Sequence, residues 1–222
     1  MTIRRIALAS SHEPDESVID EAVRLLLEGK LIVYPTDTIY ALGVNALDTD
    51  SIKRLFTVKE RSLEKPIHVV VDSLKMADRY VILNKAAEQL AARFLPGPLT
   101  MILPKRAVVP DLLVSGRQTL GVRIPDNEVC LRLAQKSGIP LTTTGANISG
   151  GGDSYTVDDV IRQLGHRANA VDLFIDQGRL DLTPPSTLVD LSSASPIILR
   201  EGPISSSDLR EALGIGCREH SH

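Results

Sequence analysis

Short apolar runs that break off into hydroxyls, amides and glycines constrain this chain more than any other feature. Leu31-Ile32-Val33-Tyr34 has the branched and aromatic content of a buried strand. It stops at Pro35-Thr36-Asp37-Thr38 before Ile39-Tyr40-Ala41-Leu42-Gly43 resumes. Far downstream, Ile139-Pro140-Leu141 runs into Thr142-Thr143-Thr144-Gly145-Ala146-Asn147 and then Ile148-Ser149-Gly150-Gly151-Gly152. Polar residues at the ends of apolar strands face whatever lies beyond the sheet, and open α/β sheets bind ligands there. Between the two stretches stand Lys59 and Arg61, a mobile point charge and a planar fork that suit a phosphate or carboxylate. An isolated pair of this kind reads first as a solvated helix end. Beside the Thr-rich strand end and its glycine loop, the pair points to an enzyme for a small anionic substrate of the nucleotide class. The loop offers free backbone N–H groups to phosphate oxygens. It is not a Walker loop, because no Gly-Lys-Ser/Thr follows, and it lacks the setting of a dinucleotide fingerprint.

The rest of the chain alternates helical and strand patterns. Residues 15–28 carry Val18, Ala22, Leu25 and Leu26 on one helical face, with Gly29 as the stop. Further helices are predicted over 50–56, 73–79, 84–94, 128–137, 157–164 and 207–213, the fifth of these behind Thr156 with Asp159 completing a near capping box. Strands are predicted over 31–34, 66–71, 99–103, 119–124, 173–176, 187–191 and 197–200, the last two as a hairpin. Aromatic residues make up 3% of the chain and Trp is absent, so Val, Ile, Leu and Ala must build the core. That favours helices packed on a sheet. The expected class is α/β (α+β): a twisted mixed sheet surrounded by helices, with a concave ligand cleft. Residues 15–214 are expected to form one catalytic domain, with 1–14 as a lead-in and 215–222 as a flexible tail. Residues 150–154 are the candidate lid.

A net charge of −3 supplies no global field toward nucleic acid. Two cysteines, Cys130 and Cys217, with no Cys-x-x-Cys, argue against a disulfide framework or a structural zinc. The N-terminal residues lack a signal-peptide core, and no apolar run reaches the roughly 18 residues of a membrane span. A cytoplasmic protein without membrane partners is expected.

Lys59-x-Arg61 and Gly145-x-Asn147 resemble the Lys-x-Arg and Ser-x-Asn signature of the YrdC-like threonylcarbamoyl-AMP synthases. The resemblance continues through residues 35–43, Lys65-Pro66-Ile67-His68, Pro96-Gly97-Pro98-Leu99-Thr100, Gly121-Val122-Arg123-Ile124-Pro125, residues 185–190 and Leu199-Arg200-Glu201-Gly202, in family order. It implies a nucleotidyltransferase that makes threonylcarbamoyl-AMP from L-threonine, bicarbonate or CO2, and ATP, releasing pyrophosphate. This is the first step of threonylcarbamoyl-adenosine modification of transfer RNA. A second machine then transfers the group, and weak transfer RNA binding by the synthase is compatible with the resemblance. Mg2+ is implied with ATP, since no carboxylate cluster announces a metal site of the protein itself.

The same resemblance assigns roles. Lys59, Arg61 and Asn147 are the implied catalytic residues. Together with Leu63, Thr119, Gly145, Asp153 and Arg200 they are the implied ATP site, while Thr36, His68, Arg123, Thr143 and Ser186 are to hold threonine. Lys59 and Arg61 are expected on the surface of the cleft. Thr119 and Arg123, four residues apart on one strand, are expected on one face. Asp37 is the candidate buried carboxylate capping the backbone at Thr36 and Thr38. Gly145 departs from the family serine, and Thr144 is the neighbour able to replace its hydroxyl. The absence of a long C-terminal extension resembles the family's single-domain form. Two alternatives stand beside this reading. One is an RNA-binding module, and the other is a carbamoyl-adenylate paralogue of the kind found in hydrogenase-maturation carbamoyltransferases.

Overall fold

The computed structural model describes residues 3–9, 13–214 and 218–219. Its helices begin where short polar side chains can take up free backbone N–H groups. Asp48 caps α2 (Thr49–Lys59), Ser73 caps α3 (Leu74–Ala77), Asn84 caps α4 (Lys85–Phe94) and Asn127 caps α5 (Glu128–Ser137). Thr156 with Asp159, and Ser205 with Asp208, form full capping boxes on α6 (Val157–Leu164) and α7 (Ser206–Leu213). α1 (Glu16–Leu27) turns Val18, Ile19, Ala22, Leu25 and Leu26 inward and packs against α5. Arg132 and Lys136 of α5 reach across to Glu16.

One boundary matters for function. The second helix was expected over 50–56, but it starts at Thr49 and continues to Lys59. Asp48 supplies the cap, and Glu60 in the left-handed conformation (φ 50°) supplies the stop. Lys59 is therefore the last helical residue, and its side chain runs into the protein rather than out of it.

The strands are β1 (Arg5–Ala7), β2 (Ile32–Tyr34), β3 (Ala41–Gly43), β4 (His68–Val70), β5 (Leu99–Pro104), β6 (Thr119–Arg123), β7 (Leu141–Gly145), β8 (Leu173–Asp176), β9 (Thr187–Asp190), β10 (Ile197–Arg200) and β11 (Arg218–Glu219). They form one mixed sheet in the order β1-β8-β2-β3-β7-β4-β6-β5-β9-β10-β11. β9 and β10 pair antiparallel, as their spacing predicts. β11 lies parallel to β10; apart from it, the tail expected over 215–222, including Cys217, lies outside the described residues. β1 had no signal in the sequence, being a three-residue edge strand that pairs with β8 through its backbone. Its Arg5 is held by Asp176 at 2.6 Å. Among the described residues no helix is long and apolar enough to cross a membrane.

The centre of the sheet positions the site. β7 lies between β3 and β4, antiparallel to both, so the Thr-rich strand end meets the Pro35–Tyr40 connection on one side and His68 on the other. Thr143 stands opposite His68, and Gly145 opposite Ala41. Fully buried Tyr34 lies flat on Gly43, where a Cβ would fall 2.6 Å from its ring, and its hydroxyl donates to the Thr142 carbonyl at 2.9 Å. This contact ties the first strand pair to β7.

Candidate active site

A cavity of about 330 Å3 opens at these strand ends. Lys59, Arg61, Lys65, Arg123 and Arg200 bring five cationic side chains to it, against the single carboxylate of Asp153. Its walls are built in three pieces.

The first joins the end of α2 to the turn after β7. Lys59 is 1% exposed, which corrects its expected place on the surface. Its ammonium donates to the Gly145 carbonyl, to Asn147 O at 2.7 Å and to Asn147 Oδ1 at 2.8 Å. Its own carbonyl accepts from Ser149 N at 2.9 Å. Asn147 Nδ2 reaches on to the carbonyls of Gly151 and Gly152 at 3.1 and 2.9 Å. Three acceptors suit the ammonium form, while burial and, next, the charge of Arg61 oppose it and pull the amine down to about 7. Gly145 is closely packed: a Cβ there would come within 3.0 Å of the Ile39 Cδ1 methyl, which would have to give way to admit a side chain.

Arg61 leaves the helix beyond Glu60. Its Nε donates to Lys65 O at 3.1 Å and its Nη2 to Pro66 O at 2.7 Å, so backbone carbonyls orient it, and among the described residues no carboxylate pairs with it. Burial lowers its pKa.

The second piece is the connection from β2 to β3 with the end of β6. The Thr36 hydroxyl accepts from Thr38 N and Ile39 N, each at 3.1 Å, and donates to Ile39 O at 2.7 Å. Thr36 therefore makes the turn that was expected of Asp37, because its short side chain reaches the N–H groups two and three residues on. Asp37 faces Arg123 instead, accepting from Nη2 at 2.6 Å, with both side chains buried or nearly so. Arg123 also donates to Thr38 Oγ1 at 3.1 Å and Gly97 O at 3.3 Å.

The third piece is β4 with β9 and β10. The His68 ring rests on Gly121, where a Cβ would fall 2.6 Å from it. Burial first, then the cations Arg200, Arg61 and Arg117, lower its pKa to about 4, so the imidazole is neutral at pH 7. Arg200 donates from Nε and Nη2 to Ser186 O at 3.0 and 2.8 Å. Gly202 makes this docking feasible, since a Cβ there would sit 2.3 Å from Pro185 O. Burial and Arg123 lower the Arg200 pKa against the opposing pull of Asp153.

The cavity thus collects Thr36, Lys59, Arg61, His68, Arg123, Thr143, Gly145, Asn147, Asp153, Ser186 and Arg200. Leu63 and Thr119 do not line it. Leu63 is 57% exposed on the loop after α2. Thr119 shares a strand face with Arg123 but stands at its far end, paired with Pro104, about 13 Å away at ordinary strand rise. Sequence reasoning missed Thr38, Lys65, Thr100 and Ser149, which also line the cavity. Lys65 and Thr100 belong to the motif blocks, which was the available signal. Among the described residues no group of three or more His, Cys, Asp or Glu could hold a metal ion.

Comparisons with known proteins fit this geometry. The family model of the Sua5, YciO and YrdC proteins, described as "Telomere recombination", matches residues 24–202. The threonylcarbamoyl-AMP synthase of Pyrococcus abyssi is 34% identical over 201 residues, covering 90% of this chain and 58% of that protein. The crystal structure of P. abyssi Sua5 complexed with L-threonine superposes with a TM-score of 0.90 at 32% identity, over 99% of this chain and 63% of that one. The crystal structure of Escherichia coli YciO gives a TM-score of 0.81 at 26% identity, over 91% and 97%. The chain therefore spans less than two thirds of the P. abyssi protein and nearly the whole of YciO.

Proposed function

The chain belongs to the Sua5, YciO and YrdC family, and from that premise we propose that it makes threonylcarbamoyl-AMP from L-threonine, bicarbonate or CO2, and ATP, releasing pyrophosphate. One observation carries the reading. Lys59, Arg61 and Arg200 converge on one cavity with no carboxylate of the described residues in an ion pair with any of them, and burial lowers the pKa of all three. Charges that burial disfavours in the free protein are stabilised when an anion arrives.

In this reading Arg61 and Arg200 take the phosphates, and Lys59 holds the Asn147 turn against them. Gly145 and Asp153 complete the nucleotide side. Thr36, His68, Arg123, Thr143 and Ser186 hold threonine. Arg123 gives Nη2 to Asp37, Nη1 to Thr38 and Nε to Gly97, so one N–H on each Nη is left for the amino-acid carboxylate. Neutral His68 adds a polar contact without adding another cation. The carbamate of threonine attacks the α-phosphorus of ATP and pyrophosphate leaves. The protein's share is to bring two anions together and to stabilise charge on the phosphoryl oxygens. Magnesium enters on the triphosphate as part of the substrate. We place the reaction in the cytoplasm, upstream of the machinery that loads the group onto transfer RNA.

The test is pyrophosphate release by the purified chain from ATP and bicarbonate, with and without L-threonine. Threonine-dependent release is expected. ATP binding with no threonine-dependent release would overturn the reading in favour of another acyl acceptor.

A further inference from the structure

Thr100 is buried in β5 at 2% exposure, yet it lines the cavity. Its hydroxyl lies 2.8 Å from the hydroxyl of Ser186, itself 5% exposed. Arg200 Nη2 stands 3.4 Å from the same Ser186 oxygen while its stronger bond goes to Ser186 O. A guanidinium has no acceptor, so Ser186 Oγ can only accept on that side. Two hydroxyls carry two protons, and the bond between them uses one. Whichever hydroxyl donates, the pair has one O–H left, and the cavity is the open side. The neighbouring guanidinium repels a proton directed at it, which turns that remaining O–H toward the ligand.

We propose that Thr100 is a positioning residue: its hydroxyl holds that of Ser186 so that the pair presents its spare O–H to an oxygen of the bound amino acid. The inference rests on the reading that threonine is a substrate. It assigns a role to a residue that the motif reading passed over. A buried donor of this kind selects for a ligand oxygen, because a ligand lacking that oxygen leaves the O–H unpaired in a dry site.

The experiment is calorimetric titration of L-threonine into the full chain and its variants. Thr100→Val, similar in shape without the hydroxyl, leaves the Ser186 O–H unoriented and is expected to weaken binding about fivefold, with Ser186→Ala, which removes the donor, at about tenfold. The double variant is expected to be no weaker than Ser186→Ala alone, since Thr100 acts only through the Ser186 hydroxyl. Thr100→Ser, which keeps the hydroxyl, is expected to stay within about twofold of the parent. Thr100→Ala makes the same deletion should Thr100→Val not fold. Multiplicative losses in the double variant, parent-like binding by Thr100→Val, or equal losses in Thr100→Ser and Thr100→Val would each overturn the inference while leaving the proposed function intact. A parent chain that binds no threonine would overturn both.

Discussion

The two sides of the cavity hold their cations in opposite ways. On one side Arg123 is buried against Asp37 at 2.6 Å, and its remaining bonds run to Thr38 and Gly97. On the other, Lys59, Arg61 and Arg200 are held by carbonyl and amide oxygens, and none of them forms an ion pair with a carboxylate among the described residues. A carbonyl orients a cation without cancelling its charge, whereas a carboxylate does both. On the first side the fold cancels most of the charge and leaves Arg123 to act through its spare N–H groups, whereas the second keeps its charge for a ligand. Two arginines in one cavity can therefore have different purposes, and their partners tell which.

The largest expected effect tests the paired side. Asp37→Ala leaves Arg123 buried without a counter-charge and should lower the unfolding free energy by about 3 kcal/mol in urea denaturation. Arg61→Ala should change it by less than about 1 kcal/mol, since an unpaired, partly buried cation is removed. Similar losses in both variants would break the comparison.

Next in size is ligand binding. Arg61→Ala should weaken ATP binding about a hundredfold, the worth of a pair of charge-assisted bonds to phosphate, as read by titration calorimetry. An unchanged affinity would move the phosphates away from the unpaired side.

The smallest effect is a proton count. With its pKa near 7, the Lys59 amine is mostly neutral at pH 8, and a phosphate beside it favours the charged form. ATP binding at pH 8 should therefore take up a proton, to at most about 0.9, and at pH 6 almost none. Calorimetry in two buffers of different ionisation enthalpy reads this number, and Lys59→Met should abolish it. No uptake at pH 8 would mean that the phosphate field does not reach Lys59, leaving it as a strut for the Asn147 turn alone.

Most helices were legible because their signals are local. Asn84, Thr156 with Asp159, and Gly138 mark ends through bonds and backbone angles within four residues of themselves. The second helix was misjudged where two acidic residues competed for the cap and a glutamate, not a glycine, adopted the left-handed stop. The site was legible as a set of residue types at strand ends, and its motif blocks do converge on one cavity. Their partners were not legible. Nothing in Thr36-Asp37-Thr38 says which side chain makes the turn and which meets Arg123, because that depends on β6 arriving from 86 residues away. Thr119 shows the converse limit: period-2 spacing sets a face of the sheet, not a place along the strand.

The mixed α/β class, most helix ends, the strand-end polar clusters and the family could all be read from the residues alone, because each rests on short-range pattern. Only the tertiary structure decided that β7 enters between β3 and β4, that Lys59 is buried with its amine turned onto the Asn147 loop, and that Thr100 stands against Ser186. Strand order and the ionic partner of a buried group are set by the packing of distant segments. Burial then decides which charges are cancelled within the fold and which remain for a ligand.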